Sequence, residues 1–201
     1  MKNSLIITLF FIAGILAGRI FHFKDPGSVN KYMEWSLFAL MLFVGLSFGS
    51  DRKLKDIIAT MNRSLFLLPL LTIAGTFSGV MIYTFLFDSI SPKDAMAIGA
   101  GFGYYSLSSI LIKEFSGSDI AVIALLSNVL REIITLLTAP LQAKYFGSAS
   151  PICSAGATSM DTTLPVIVKA SGKKYLIASL FHGILLTLLV PFIITIIYKV
   201  F

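Results

Sequence analysis

The chain has 201 residues, 56% of them hydrophobic and only 13% charged, with a mean hydropathy of +0.89. A soluble domain carries about 25% charged residues, so the composition excludes an ordinary soluble fold and indicates an integral membrane protein in contact with a lipid bilayer. The formal net charge of +6 comes from Lys and Arg concentrated in short connections, which suits cytoplasmic loops and gives no reason to invoke nucleic acid. The one cysteine, Cys153, excludes an internal disulfide and a cysteine metal cluster. No cofactor is expected.

Residues 4–23 form an apolar run about as long as one bilayer span. It lacks an A-x-A cleavage pattern, so a retained helix is expected rather than a signal peptide. Gly14 and Gly18 form a small-x-x-x-small pair that allows close helix approach. Arg19, near the end of the run, can snorkel to the interface. Asp25-Pro26-Gly27 marks a turn. Residues 33–49 are the second predicted span, with Trp35 as an interfacial anchor. The connection 50–63 carries Arg52, Lys53, Lys55 and Arg63, and as the most basic one it should face the cytoplasm. Residues 65–87 are the third span, with Pro69 in its first turns and a Gly75/Gly79 pair.

Residues 95–112 depart from a plain span. Gly99, Gly101 and Gly103 are followed by Tyr104, Tyr105, Ser106, Ser108 and Ser109, which predicts a broken or re-entrant helix; the alternative is an ordinary span packed tightly against neighbours. The glycine spacing is no nucleotide fingerprint, because no strand precedes it. Residues 120–140 are a helix in which Asn128, Arg131, Glu132 and Thr135, spaced i, i+3, i+4 and i+7, share one face. That stripe should look into a cavity or onto partner helices, not lipid.

Residues 151–165 hold a carboxylate, five hydroxyls, a Gly and a Pro at each end, all between two long apolar runs. Freed backbone groups and hydroxyls are tolerable at membrane depth only where protein or a water-filled cavity covers them, so a second broken segment is expected over 151–168. Lys169, Lys173 and Lys174 make a second basic loop, and 176–198 is the last span, with His182 and Pro191 inside it. His182 is either a hydrogen-bonded packing residue or a proton carrier. Nine loop Lys and Arg fall on the side of the N-terminus against five on the other, whether the two broken segments cross or turn back. The N-terminus is therefore expected in the cytoplasm and the C-terminus outside, with either five or seven complete spans.

Of the ten acids, eight fall in loops or at span boundaries, and only Glu132 and Asp161 lie at membrane depth. An acid there costs at least ~2.5 kcal/mol on the insertion scale and needs a proton or a cation for company. Two such acids suit a transporter that binds either an ammonium group or protons, which couples the two fluxes. The structural alternative for Glu132 is an ion pair with an arginine, Arg131 included. Arg131 itself could meet a substrate carboxylate or only hold the site together. Asn128 and Arg131 would orient the site, with Ser154, Thr158, Ser159 and Thr162 supplying hydroxyl or backbone contacts. Helix breaks add half-helix N-termini for a carboxylate and exposed carbonyls for a cation. Hydrolytic chemistry is not expected: His22 and His182 are far apart, no G-x-S-x-G or H-E-x-x-H occurs, and an aspartyl enzyme would need a second intramembrane aspartate.

Three motifs together, Gly99-Ala-Gly-Phe-Gly-Tyr-Tyr-Ser-Leu-Ser108, Ala124-Leu-Leu-Ser-Asn-Val-Leu-Arg-Glu132-Ile-Ile and Gly156-Ala-Thr-Ser-Met-Asp-Thr-Thr-Leu-Pro165, with Phe181-His-Gly183 after them, resemble the bacterial lysine exporter LysO family. The resemblance is densest over 95–191. It implies export of L-lysine and its analogue thialysine across the bacterial cytoplasmic membrane, in exchange for protons, with the family's two intramembrane acids matching Glu132 and Asp161. Full-length members carry additional N-terminal spans, so a separate small membrane subunit or a homodimer would complete the assembly. A sodium- or proton-coupled transporter of another small amino acid or cation is the alternative, and a non-transporting structural subunit is the alternative of a different class. The expected fold is an all-α polytopic membrane bundle, 1–94 contributing three spans and 95–201 a core with two broken segments that cross near the bilayer midplane.

Overall fold

The computed structural model describes residues 65, 67–87 and 89–200, together with isolated positions 13, 14, 16, 17, 35 and 46. Apart from those isolated positions, the predicted spans 4–23 and 33–49 and the basic loop 50–63 lie outside the described residues. Every regular element among the described residues is helical, which bears out the all-α expectation.

Helix α1, Leu68–Leu86, begins with Pro69 in its first turn, where the missing N–H costs nothing. Helix α2, Pro92–Gly99, is capped by Ser91, whose Oγ accepts the Asp94 N–H at 3.1 Å. After a turn over 100–104 comes α3, Tyr105–Tyr145, which is two helices joined at Gly117 (φ 83°, ψ −177°). Helix α4, Ser150–Ala155, runs into a 3-10 segment, Gly156–Met160, and α5 covers Leu164–Ser171. A short 3-10 turn, Lys173–Tyr175, leads into α6, Leu176–Val200.

Among the described residues, three stretches are long and apolar enough to cross a membrane: Leu68–Leu86, Tyr105–Tyr145 and Lys173–Val200. Their outer faces expose Leu70, Ile82, Phe85, Leu126, Leu188 and Phe192, each more than half accessible. Lipid tails are as apolar as these side chains, so the arrangement is stable only in a bilayer.

The polypeptide between α1 and α3 goes out along α2, turns at 100–104 and comes back. Its return is fixed by the Ser116 hydroxyl, which donates to Asp94 Oδ1 at 2.5 Å, and by Tyr198 OH, which donates to the same oxygen at 2.8 Å. Ser91 Oγ donates to the other carboxylate oxygen at 2.7 Å, and Lys93 Nζ donates to the Tyr198 carbonyl at 3.1 Å. Partial burial works to raise the Asp94 pKa, but the hydroxyls of Ser116, Ser91 and Tyr198 and the charge of Lys93 outweigh it and hold the carboxyl below its ordinary range. The second broken stretch folds in a similar way. Ile152 of α4 and Ile167 of α5 share one buried cluster with Leu68 and Ala178, so the two short helices lie side by side.

The turns of the two stretches touch. Ala157 N–H donates to the Phe102 carbonyl at 2.8 Å. Phe102, fully buried and with φ 44°, packs edge-on against Phe77 at 5.8 Å and belongs to the main core with Ala100, Leu186, Val190 and Ile194. Both Gly/Ser-rich segments are thus interrupted helices, as their composition predicts. The polar helix predicted over 120–140 is longer at both ends: Pro140 lies inside it rather than ending it, and at the other end it reaches back to the break at Gly117. Proline removes one ladder hydrogen bond, a loss that membrane-embedded helices tolerate when neighbours resatisfy the backbone.

Candidate functional site

The polar face of α3 meets both interrupted stretches, and each of its residues does something different. Asn128 is 3% exposed. Its Oδ1 accepts the Gly103 N–H at 2.7 Å, while Nδ2 donates to the carbonyls of Ile98 and Ala124 at 3.1 and 2.9 Å. It therefore closes the backbone of the first turn, where helical hydrogen bonding has stopped. Arg131 serves the second turn. Nε donates to the Ser154 carbonyl at 2.8 Å and Nη2 to the Cys153 carbonyl at 3.0 Å, with Nη1 at 3.3 Å from Thr76 Oγ1. Those carbonyls are at the C-terminal end of α4, where acceptors lack helical partners and a cation is favoured. Thr135 Oγ1 donates to the Arg131 carbonyl at 2.9 Å and lies 2.7 Å from Ser154 Oγ, which also accepts from Gln142 Nε2 at 3.0 Å.

Glu132 is about 100° further round the helix from Arg131 and does not join this knot. It faces a cavity of about 290 Å³, at the small end of ligand-site volumes, together with Asp161. Asp161 follows the 3-10 segment, where its Oδ1 accepts the Thr162 N–H at 2.6 Å and the Thr162 hydroxyl at 3.3 Å. Thr162 also stands beside the Glu132 carboxylate. Thr158 lines the same cavity and spends its hydroxyl on the Ala155 carbonyl at 3.0 Å. The first turn closes one side with Gly103, Tyr104, Tyr105 and Ser106, and α6 contributes Thr187.

Of the residues singled out from sequence, Glu132, Asp161, Thr158 and Thr162 come together in this cavity. Asn128, Arg131 and Ser154 instead tie the turns to α3. Ser159 points to α6, donating to the Ser179 carbonyl at 3.0 Å and approaching His182 Nδ1 at 3.1 Å. His182 is fully buried. Its Nδ1 is 3.2 Å from the Gly156 carbonyl and its Nε2 is 2.8 Å from Thr72 Oγ1. A carbonyl can only accept, so the proton is on Nδ1 and Nε2 accepts from Thr72. Sequence reading missed Tyr105, Ser106 and Thr187 as cavity residues. A lone hydroxyl in an apolar helix is a weak signal: Thr195, in the same helix, simply donates to the Pro191 carbonyl at 2.7 Å.

A larger space of about 860 Å³ lies between α1, α2 and α3, with Gly75, Gly79 and Ile123 in its lining. Arg131 and Asn128 border it, but its other described walls are mostly apolar, and no carboxylate is among the described lining residues. Both of the acids predicted at membrane depth line the smaller cavity. No cluster of His, Cys, Asp and Glu among the described residues could hold a metal ion.

The family model described as "Lysine exporter LysO" matches residues 8–198. The chain is 34% identical over 163 residues to the protein named Lysine exporter LysO of Escherichia coli (strain K12), covering 80% of this chain and 53% of that protein, so it spans about half that relative's length. It is 31% identical over 185 residues to a Haemophilus influenzae protein named as a candidate lysine exporter, covering 90% of each. No solved structure is a significant match. The matching family is one of transporters, not enzymes. With residues 8–198 of its 201 matched, the chain belongs to the lysine exporter LysO family.

Proposed function

We propose that this chain exports L-lysine, and with it thialysine, across the bacterial inner membrane in exchange for protons. The observation that carries the reading is that Glu132 and Asp161, from different elements, face one cavity while Arg131 spends its donors on the Ser154 and Cys153 carbonyls. A desolvated carboxylate pair with no cation beside it among the described residues has two ways to be stabilised: bind the ammonium groups of a substrate, or take up protons. Competition between these two occupants couples export to proton entry.

The two interrupted stretches serve as re-entrant hairpins, entering from opposite membrane faces with their turns in contact at Phe102 and Ala157. The hydrogen bond between Ser116 and Asp94 supports this for the first hairpin, and the pairing of Ile152 with Ile167 supports it for the second. Irregular backbone at this depth is tolerable because it lines a cavity and is satisfied by Asn128 and Arg131. The N-terminus faces the cytoplasm.

Counterflow in proteoliposomes tests this. Lysine-loaded vesicles containing the purified chain are expected to exchange labelled lysine, driven by a pH gradient and indifferent to sodium. Glu132→Gln and Asp161→Asn are each expected to abolish exchange while the protein inserts and melts as wild type does. Full exchange in either variant overturns the carboxylate mechanism. Sodium dependence without pH dependence favours the sodium-coupled reading. No transport by the purified chain, with transport restored by a partner subunit, assigns it a place in a larger complex.

A further inference from the structure

The carboxylates account for the positive groups of a basic amino acid, and they leave its negative group unaddressed. Lysine brings two ammonium groups and one carboxylate to the site. Glu132 and Asp161 can neutralise the two ammonium groups, but the carboxylate then needs hydrogen-bond donors in the same cavity, because an unpaired buried charge is prohibitive. Several donors in the neighbourhood are spent, while the hydroxyls of Tyr104, Tyr105 and Ser106 also line the cavity. Thr158 donates to Ala155, Thr162 is directed to Asp161, Asn128 serves the first turn and Arg131 serves α4.

Thr187 is different. It lies midway along α6 and lines the cavity, yet its Oγ1 is buried and has no hydrogen-bond partner among the described residues. A threonine in a helix ordinarily donates to the carbonyl four residues back, as Thr195 does to Pro191. Thr187 forgoes that bond. One rotamer step about χ1 exchanges its methyl and hydroxyl positions, so the hydroxyl can be presented to whatever fills the cavity. The wall that Tyr105 and Ser106 form starts the helix after the first turn without a side-chain cap, which leaves first-turn N–H groups on that side as further donors.

We infer that Thr187 is the specificity-determining residue for the substrate's α-carboxylate, so that the cavity accepts a basic α-amino acid and discriminates against the diamine that lacks the carboxylate. The inference rests on the proposed lysine transport and adds the group that reads the acid end of the substrate. A hydrogen bond from a neutral hydroxyl to a carboxylate is among the stronger ones, and a site built around such a bond rejects the analogue that cannot form it.

The test uses Thr187→Val, which keeps the side-chain shape, and Thr187→Ser, which keeps the hydroxyl. Each is compared with wild type in lysine counterflow and in competition by cadaverine, the decarboxylated diamine. The expected result is that Thr187→Val raises the KM for lysine about tenfold or more, on the scale of one charge-assisted hydrogen bond, while Thr187→Ser stays near wild type. Cadaverine should compete weakly against wild type and gain relative to lysine in the valine variant. Lysine should raise the melting temperature of wild type and not that of Thr187→Val. The apo melting temperature of Thr187→Val should equal or exceed wild type, since a buried unpartnered hydroxyl has been removed; a purely structural role predicts a lower one. An unchanged lysine KM in Thr187→Val, or cadaverine competing with wild type as well as lysine does, overturns the inference while leaving lysine transport standing. Absence of lysine exchange by wild type is the separate failure of the transport reading; the inference is then overturned if lysine stabilises Thr187→Val as much as wild type.

Discussion

At the scale of single residues, one helix face divides its work by angle. Asn128, Arg131 and Thr135 are spent on backbone and hydroxyl groups of the two turns, while Glu132 is left to the cavity. That the four share a face was legible from their spacing, since the helical period is fixed. Which of them would point to substrate was not, because that depends on where the carbonyls of Cys153 and Ser154 end up. Arg131 is the sharpest case. Its fork meets two carbonyls in a nearly dry site, and lysine, a point donor, cannot reproduce that geometry. Arg131→Met should therefore destabilise the protein by about 1–3 kcal/mol, the cost of leaving buried acceptors unpaired, and Arg131→Lys should recover little of it. Thermal melting in detergent measures the loss. If Arg131→Met melted like wild type but raised the KM for lysine, Arg131 would be a substrate ligand instead.

At the scale of elements, the contact between the two turns is a backbone contact with no room for a side chain. A Cβ added at Gly156 (φ 67°) would collide with the Phe102 carbonyl oxygen, the same oxygen that accepts the Ala157 N–H. Gly147 (φ 94°) has a similar backbone constraint but open space around it. The pair separates the two effects. Gly147→Ala should cost about 1 kcal/mol, from backbone strain alone. Gly156→Ala should cost roughly 3 kcal/mol or more, because it adds overpacking at a point fixed by a hydrogen bond. Comparable melting of the two variants would mean that the turns are not held together in the protein. Helix breakers in a hydrophobic chain made both interruptions readable from sequence. Their meeting at Phe102 and Gly156 was not readable, since residues 54 positions apart carry no local signal of each other.

At the scale of the whole molecule, the number of complete spans is what composition could not decide. The positive-inside count is nine to five for either topology, because Lys113 and Lys144 exchange sides together when the two interrupted stretches change from crossing to returning. Contacts carry the information that charge lacks. Asp94 joins the mouth of the first stretch, through Ser116, to the far end of α6, through Tyr198. In the proposed hairpin topology, residues 89–94, 113–116 and 198 lie at one membrane face, and the other face belongs to the ends of α3 and α5 and the start of α6. In a Cys153→Ser background, single cysteines at Ser89, Lys113, Lys144 and Lys174, all exposed positions, should report this to a membrane-impermeant maleimide. Positions 89 and 113 are expected to react from the outside, and 144 and 174 from the cytoplasm. If both stretches cross completely, 113 and 144 trade sides while 89 and 174 stay where they are. The two controls make the result independent of how the vesicles are oriented, so labelling at 113 and 144 decides whether two hairpins enter from opposite faces to meet beside Glu132 and Asp161.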